Sequence, residues 1–165
     1  LQKILAVCGF RCRIKGKEQK QMILIVCLDN RNGIAFHHRR QSSDHAVTED
    51  IAKTAAESGQ KLYISPYSGS LFAKEENNAS ELLVCENPLA AAREGDCVFL
   101  EQNAADLSEP AVEALIVYRW NRDYPSDIKL TIGEEWELVE SADFPGHSHE
   151  KITKEQYRRS NSCQK

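Results

Sequence analysis

Met22–Leu28 reads MILIVCL, seven consecutive apolar residues with no polar position between them. A half-exposed strand alternates apolar with polar, so an unbroken run of this length fits a strand covered on both faces. That one run commits the chain to a layered architecture, with a sheet packed from both sides. It ends at Asp29–Gly33, DNRNG, a turn signal whose Asn-Gly pair supplies the positive φ that most side chains resist.

The segments that follow alternate. Thr48 to Ser58 predicts a helix, with Ile51, Ala52, Ala55 and Ala56 on one side and Gly59 as its stop. Lys61–Ser65 (KLYIS) is strand-like, Ser68–Lys74 suggests a short helix, and Glu81–Cys85 (ELLVC) is a further strand. Asn87-Pro88 opens an alanine-rich helix, with Asn as cap and Pro at the first helical position. Cys97–Leu100 and Ala114–Tyr118 are apolar strands. Ile128–Ile132 and Trp136–Val139 come next, separated by a glycine-containing turn that suggests antiparallel pairing with each other. Early strand–helix alternation followed by consecutive strands predicts a three-layer α/β/α domain with a mixed, mostly parallel sheet.

Composition sets the outer limits. A chain of 165 residues, 41% hydrophobic and 28% charged, has enough apolar surface for a single core and too little charge for a disordered segment. No run approaches the roughly 20 apolar residues of a membrane span. The net charge is −4, but residues 1–21 carry +5, which leaves −9 on the rest. The sequence reading therefore treats 1–21 as a basic extension ahead of the fold, and 22–165 as one domain. An acidic body argues against nucleic acid as a partner, because such binding rests on neutralising phosphates. The chain has six cysteines but no CxxC pair. Cys27, Cys85 and Cys97 sit in apolar runs, where a free thiol behaves as a small hydrophobe. A reducing cytoplasm is the simplest compartment.

Residues with chemical potential fall in a few places. NGIAFHHRRQSSD, from Asn32 to Asp44, sets two histidines against Arg39 and Arg40, followed by Gln41 and Ser42. Arginine forks bind carboxylate or phosphate bidentately, so this segment is a candidate clamp for an anionic ligand; its bland counterparts are a solvated loop or a structural pairing with Asp44 or Glu49. FPGHSHEKI offers His147 and His149 as an HxH pair, the first half of the metal signature of metallo-β-lactamase-fold nucleases such as ribonuclease Z. Here Glu150-Lys151 follows instead of Asp-His, and the alternative is that the pair hydrogen-bonds a ligand or fixes the C-terminal segment. No recognisable ligand spacing supports a metal site elsewhere. Tyr118 to Tyr124, which includes Arg122, mixes aromatic and basic residues that can stack a ring and hold an anion, or simply alternate along a strand.

From Met22 the order of elements resembles dihydrofolate reductases. That family opens with an apolar strand, then Asp-x-x-x-Gly-Ile-Gly leading into a mobile active-site loop, and MILIVCLDNRNGIAF is similar, with Asp29, Gly33 and Ile34 in place. The resemblance implies that NGIAFHHRRQSSD is the active-site loop. It further implies that Asp50, in Glu49-Asp50-Ile51, is the acid of the pterin pocket, holding a heterocycle and supplying a proton. CENPLAAAREGDCVFLE and IVYRWNRDYPSD…WELVES are similar to the later units. The resemblance spans about 140 residues and carries NADPH as the cofactor. Departures argue against that cofactor. The loop has Arg39-Arg40-Gln41 for Leu-Pro-Trp, Thr54 stands for an aromatic residue, and Glu101-Gln102-Asn103 replaces the Gly-Gly that lets backbone approach a pyrophosphate. The sequence thus points to a reductase-like protein that binds a small anionic or heterocyclic ligand through Asp50, Arg39, Arg40, Gln41, Ser42, Arg122, His147 and His149. Alternatives are a metal-dependent nuclease or hydrolase through His147/His149, or an oxidoreductase with altered cofactor use. Whether any reaction is catalysed stays open at this level.

Overall fold

A computed structural model of the chain describes residues 11–14, 17–20, 22–73, 81–102, 107 and 111–160. In chain order the strands are β1 (Arg11–Ile14), β2 (Lys17–Lys20), β3 (Met22–Leu28), β4 (Gly33–Phe36), β5 (Arg39–Arg40), β6 (Leu62–Ile64), β7 (Leu82–Val84), β8 (Cys97–Phe99), β9 (Val112–Arg119), β10 (Ile128–Lys129), β11 (Trp136–Phe144) and β12 (Ile152–Arg159). The helices are α1 (His45–Ser58), α2 (Gly69–Phe72) and α3 (Pro88–Ala91), with a 3-10 turn at Pro66–Ser68. β3 lies inside a seven-stranded sheet of order β11-β12-β9-β3-β8-β6-β7. Pairing is parallel from β9 through β3, β8 and β6 to β7, and antiparallel at β9–β12 and β12–β11. The architecture is α/β with a mixed, mostly parallel sheet, as the alternation implied.

All seven residues of β3 are buried, which is the physical meaning of its unbroken apolar run. Successive side chains point to opposite faces. Ile23, Ile25 and Cys27 join Val47, Ile51 and Ala55 of α1 and Phe72 of α2 in one core cluster. Leu24, Val26 and Leu28 join Ile34, Ala92, Leu130 and Trp136 in the other. The first face is covered by α1 and α2. The second is covered by the short α3 and by a small sheet of order β10-β4-β5.

α1 begins before the predicted Thr48. Asp44 is its N-cap, with Oδ1 accepting from the Ala46 amide, and Gly59 closes it at φ 66. The NGIAFHHRRQSSD segment is a hairpin rather than an open loop: β4 and β5 pair through Phe36 and Arg39, and the two turn residues, His37 and His38, both have positive φ (49° and 60°). Two-residue hairpins favour this left-handed geometry because it matches strand twist. One strand pairing differs from the sequence reading. β10 pairs with β4, not with β11. β11 instead takes β12, along a ladder from Trp136↔Arg159 to Phe144↔Ile152 that the two-residue β10 cannot match. β1 and β2 pair only with one another among the described residues.

Because β3, β8 and β9 are parallel, their carboxyl ends share one edge of the sheet, where open α/β sheets place their ligands. The β4–β5 hairpin, the N-terminus of α1 and the segment after β9 converge on that edge.

Candidate functional site at the carboxyl edge of the sheet

Cys27 near the end of β3, Phe99 at the end of β8 and Trp120 after β9 floor a small cavity, walled by Arg40, Ser42, Thr48 and Glu101 among others. Its volume is about 10 Å³, room for about one water. The Arg40–Glu101 pair fills the space. Arg40 donates from Nε and Nη2 to the two Glu101 oxygens at 3.0 and 2.7 Å. Its guanidinium also lies 4.3 Å from the Tyr67 ring centroid. Ser68 Oγ donates to Glu101 at 2.9 Å. Burial, then the Glu101 charge, pushes the Cys27 thiol well above its ordinary value, so the floor carries a thiol and not a thiolate.

Beside this cavity Asp44 holds a loop against α1. Its carboxylate accepts from the backbone amides of Ala46, His147, Ser148 and His149. It also lies 2.9 Å from His149 Nδ1. Burial alone raises a carboxyl pKa; here the amide and imidazole donors outweigh it and hold Asp44 far below the usual carboxylate range. An ionised carboxylate only accepts, so Nδ1 is the donor to Asp44 and Nε2 is the nitrogen turned away from it. Nε2 stands 3.1 Å from Ser42 Oγ and 3.1 Å from the Tyr124 hydroxyl. The imidazole stacks on Trp120 at 4.8 Å. Gly146 is required by this packing, since a Cβ there would lie 2.6 Å from Asp44 Oδ2.

Outside the cavity, an open cleft of about 520 Å³ lies over the hairpin, lined by Phe36, His37, Arg39, Arg40, Gln41, Tyr124 and Pro125. This is the size at which small-molecule sites occur. Gln41 is anchored from behind, donating to Asp29 Oδ2 at 3.1 Å. Asp29 also accepts from the Arg31, Gly33 and Tyr124 amides. Burial would raise its pKa, but those donors bring it below the ordinary value. Gly33 leaves room for this: a Cβ there would meet Gln41 Nε2 and Ser126 Cβ at 2.6 Å.

The candidate residues thus divide. Arg40, Gln41 and Ser42 border the inner cavity, and Arg39, Arg40 and Gln41 the outer cleft. Asp50 is not among the residues lining either one; it accepts from the Tyr118 hydroxyl at 2.6 Å and from Lys154 Nζ at 2.8 Å. Burial, then the Asp50 charge, pushes the Tyr118 phenol up, which keeps it a donor. Arg122 is exposed in the turn after β9. His147 is exposed, its ring 5.5 Å from that of His45, whereas His149 is buried with both ring nitrogens engaged. Among the described residues no group of three or more His, Cys, Asp or Glu side chains is arranged to hold a metal ion. The sequence offered Asp44 only as a pairing partner for the arginines, Glu101 only as a replacement for Gly-Gly, and Tyr124 only within the aromatic and basic segment Tyr118 to Tyr124. The one local signal for Asp44 was its suitability as a helix cap.

No protein-family model matches the chain, and no curated protein sequence matches it. Among solved structures it is similar to a dihydrofolate reductase from Enterococcus faecalis complexed with NADP(H) and RAB-propyl, with a TM-score of 0.56 over 87% of this chain and 99% of that one. This chain has a dihydrofolate reductase-like fold. At 12% identity the likeness shows the fold alone. Among the described residues no helix is long and apolar enough to cross a membrane.

Proposed function

We propose that this reductase-like protein binds a small anionic or heterocyclic ligand in the cleft over the β4–β5 hairpin, without NADPH-dependent reduction of dihydrofolate. The observation that carries the reading is the contrast between adjacent arginines. Arg40 is neutralised by Glu101, whereas Arg39 is exposed on the cleft wall with no ion-pair or side-chain hydrogen-bond partner among the described residues. A free guanidinium beside Phe36, His37 and Tyr124 suits a planar ligand bearing a carboxylate or phosphate, held by fork and ring together.

The residues present do not fit NADPH. Where the resemblance expects Gly-Gly, Glu101 is 6% exposed at the end of β8, and its carboxylate opposes a pyrophosphate in both charge and volume.

Thermal unfolding with added ligand tests the reading. A ligand at a hundred times its Kd stabilises by about 2.7 kcal/mol. Orotate, a planar carboxylated ring, serves as the first probe. It is expected to raise the Tm of the wild type and not of Arg39→Ala, while NADPH and dihydrofolate leave both unchanged. Stabilisation by NADPH would return the site to oxidoreductase chemistry. A metal bound stoichiometrically in purified protein would instead favour a hydrolase through His147 and His149.

A further inference from the structure

The order Ser42 Oγ, His149 Nε2, His149 Nδ1, Asp44 Oδ2 is a hydrogen-bonded relay, with steps of 3.1 Å and 2.9 Å at its two ends. A nucleophile, a base and an orienting carboxylate in that sequence are recognised by geometry and role, whatever the fold. We infer that Ser42 is a nucleophile activated by His149 and Asp44, and that the site transfers acyl groups from activated esters. This inference stands apart from the ligand reading, since it uses neither Arg39 nor an anionic substrate.

Three features of the surroundings support a poised base rather than an ordinary loop anchor. The imidazole is held by the Asp44 carboxylate on one side and by the Trp120 ring on its face. Its two carriers are almost fully enclosed, with side chains 1% and 0% exposed, so the carboxylate acts on the ring without competition from water. Nε2 faces two hydroxyls at equal distance, Ser42 and Tyr124, and is not committed to either. Ser42 is half-buried at the inner cavity, and Tyr124 lies on the wall of the open cleft, which puts Nε2 at the boundary between the two.

The chemistry balances with water as the only co-reactant. Ser42 Oγ forms a bond to the acyl carbon as its proton passes to Nε2. The bond from that carbon to the leaving oxygen then breaks, the oxygen keeps the electron pair, and it takes the proton back from Nε2. Water attacks the acyl-serine by the same route, releasing the acid and restoring Ser42. The substrate class follows from the charges nearby. Arg40 is the cation that borders the cavity, and Glu101 neutralises it. Little is left to stabilise an oxyanion, so the acyl donor must bring a good leaving group.

The folded protein should be treated with a fluorophosphonate probe, followed by peptide mapping, with turnover of p-nitrophenyl acetate measured alongside. The expected result is one adduct, on Ser42, that heat-unfolded protein does not form. Ser42→Ala removes both labelling and turnover. Removing the base in His149→Gln slows labelling by about 100-fold or more, the usual span of a general base. A structural role for the network would shift the Tm of these variants without any adduct in the wild type. Absence of an adduct from the folded wild type, or an adduct on another residue in place of Ser42, overturns the assignment. The wild-type mapping decides the matter even where a variant fails to fold.

Discussion

Arg40 and Glu101 face each other with side chains 23% and 6% exposed. Removing the guanidinium leaves a buried carboxylate with Ser68 as its remaining side-chain donor. Arg40→Ala is therefore expected to cost about 3 kcal/mol in urea unfolding, since breaking a buried pair from one side is far worse than removing both charges. Arg40→Met combined with Glu101→Gln should recover a large part of that loss. Asp44 and Asp29 supply a pH test. Both have folded pKa values below the unfolded one, which is about 3.9. The folded state thus binds fewer protons, so their contribution is fully present above the unfolded value and disappears as pH falls through the folded one. The urea midpoint should hold steady from neutral pH down to about 5 and drop below about 4. Asp44→Asn, weaker at neutral pH, should flatten that acid limb; an unchanged slope would remove Asp44 from the account. At this scale the sequence exposed residue types but not partners. Ser42 and His149 were each noticed, yet they lie 107 positions apart, and the carboxylate that holds the histidine lies 105 positions from it.

At the scale of elements, the hairpin is the feature that most changed on folding. A run that looked like a mobile loop is two paired strands, closed by His37 and His38 at positive φ. Left-handed geometry costs an L-residue roughly 1–2 kcal/mol, partly offset here by contacts: Asp127 accepts from the His37 amide and Gln102 donates to the His38 carbonyl. His38→Gly is expected to raise the urea midpoint by up to about 1 kcal/mol equivalent, the steric relief exceeding the added chain entropy. If stability falls instead, the imidazole makes contacts worth more than the strain. No Asn-Gly marks this turn, which is why local propensity passed over it. α1 shows the converse. Its apolar face and glycine stop were legible, but its start awaited Asp44, whose cap is stabilised by the 147–149 amides as well as by the helix.

Over the whole molecule the sheet ends at β11, exposed along most of its length, with Leu138 48% and Val139 50% exposed. Its other edge pairs with no strand among the described residues. Glu137, Glu140 and Asp143 stand along it, and a shift of register between Leu138 and Glu140 bends the ladder. Charges and bulges are how natural edges resist pairing with a second chain. Glu137→Thr with Glu140→Val is expected to increase self-association over the wild type, read by light scattering against concentration; a variant that scatters no more than the wild type would show that the bulge alone protects the edge. The architecture itself was written locally. An apolar run with no polar break must be covered on both faces, and strand–helix alternation followed by strands yields a mixed sheet, because burial and periodicity act over neighbouring residues. What only the tertiary structure decided was which groups meet: β10 with β4, Arg40 with Glu101 61 positions away, Asp50 with Lys154, and Asp44 with His149. Hydrogen bonds and ion pairs depend on distances of about 3 Å, and those distances are set by how distant segments pack, which no local pattern specifies.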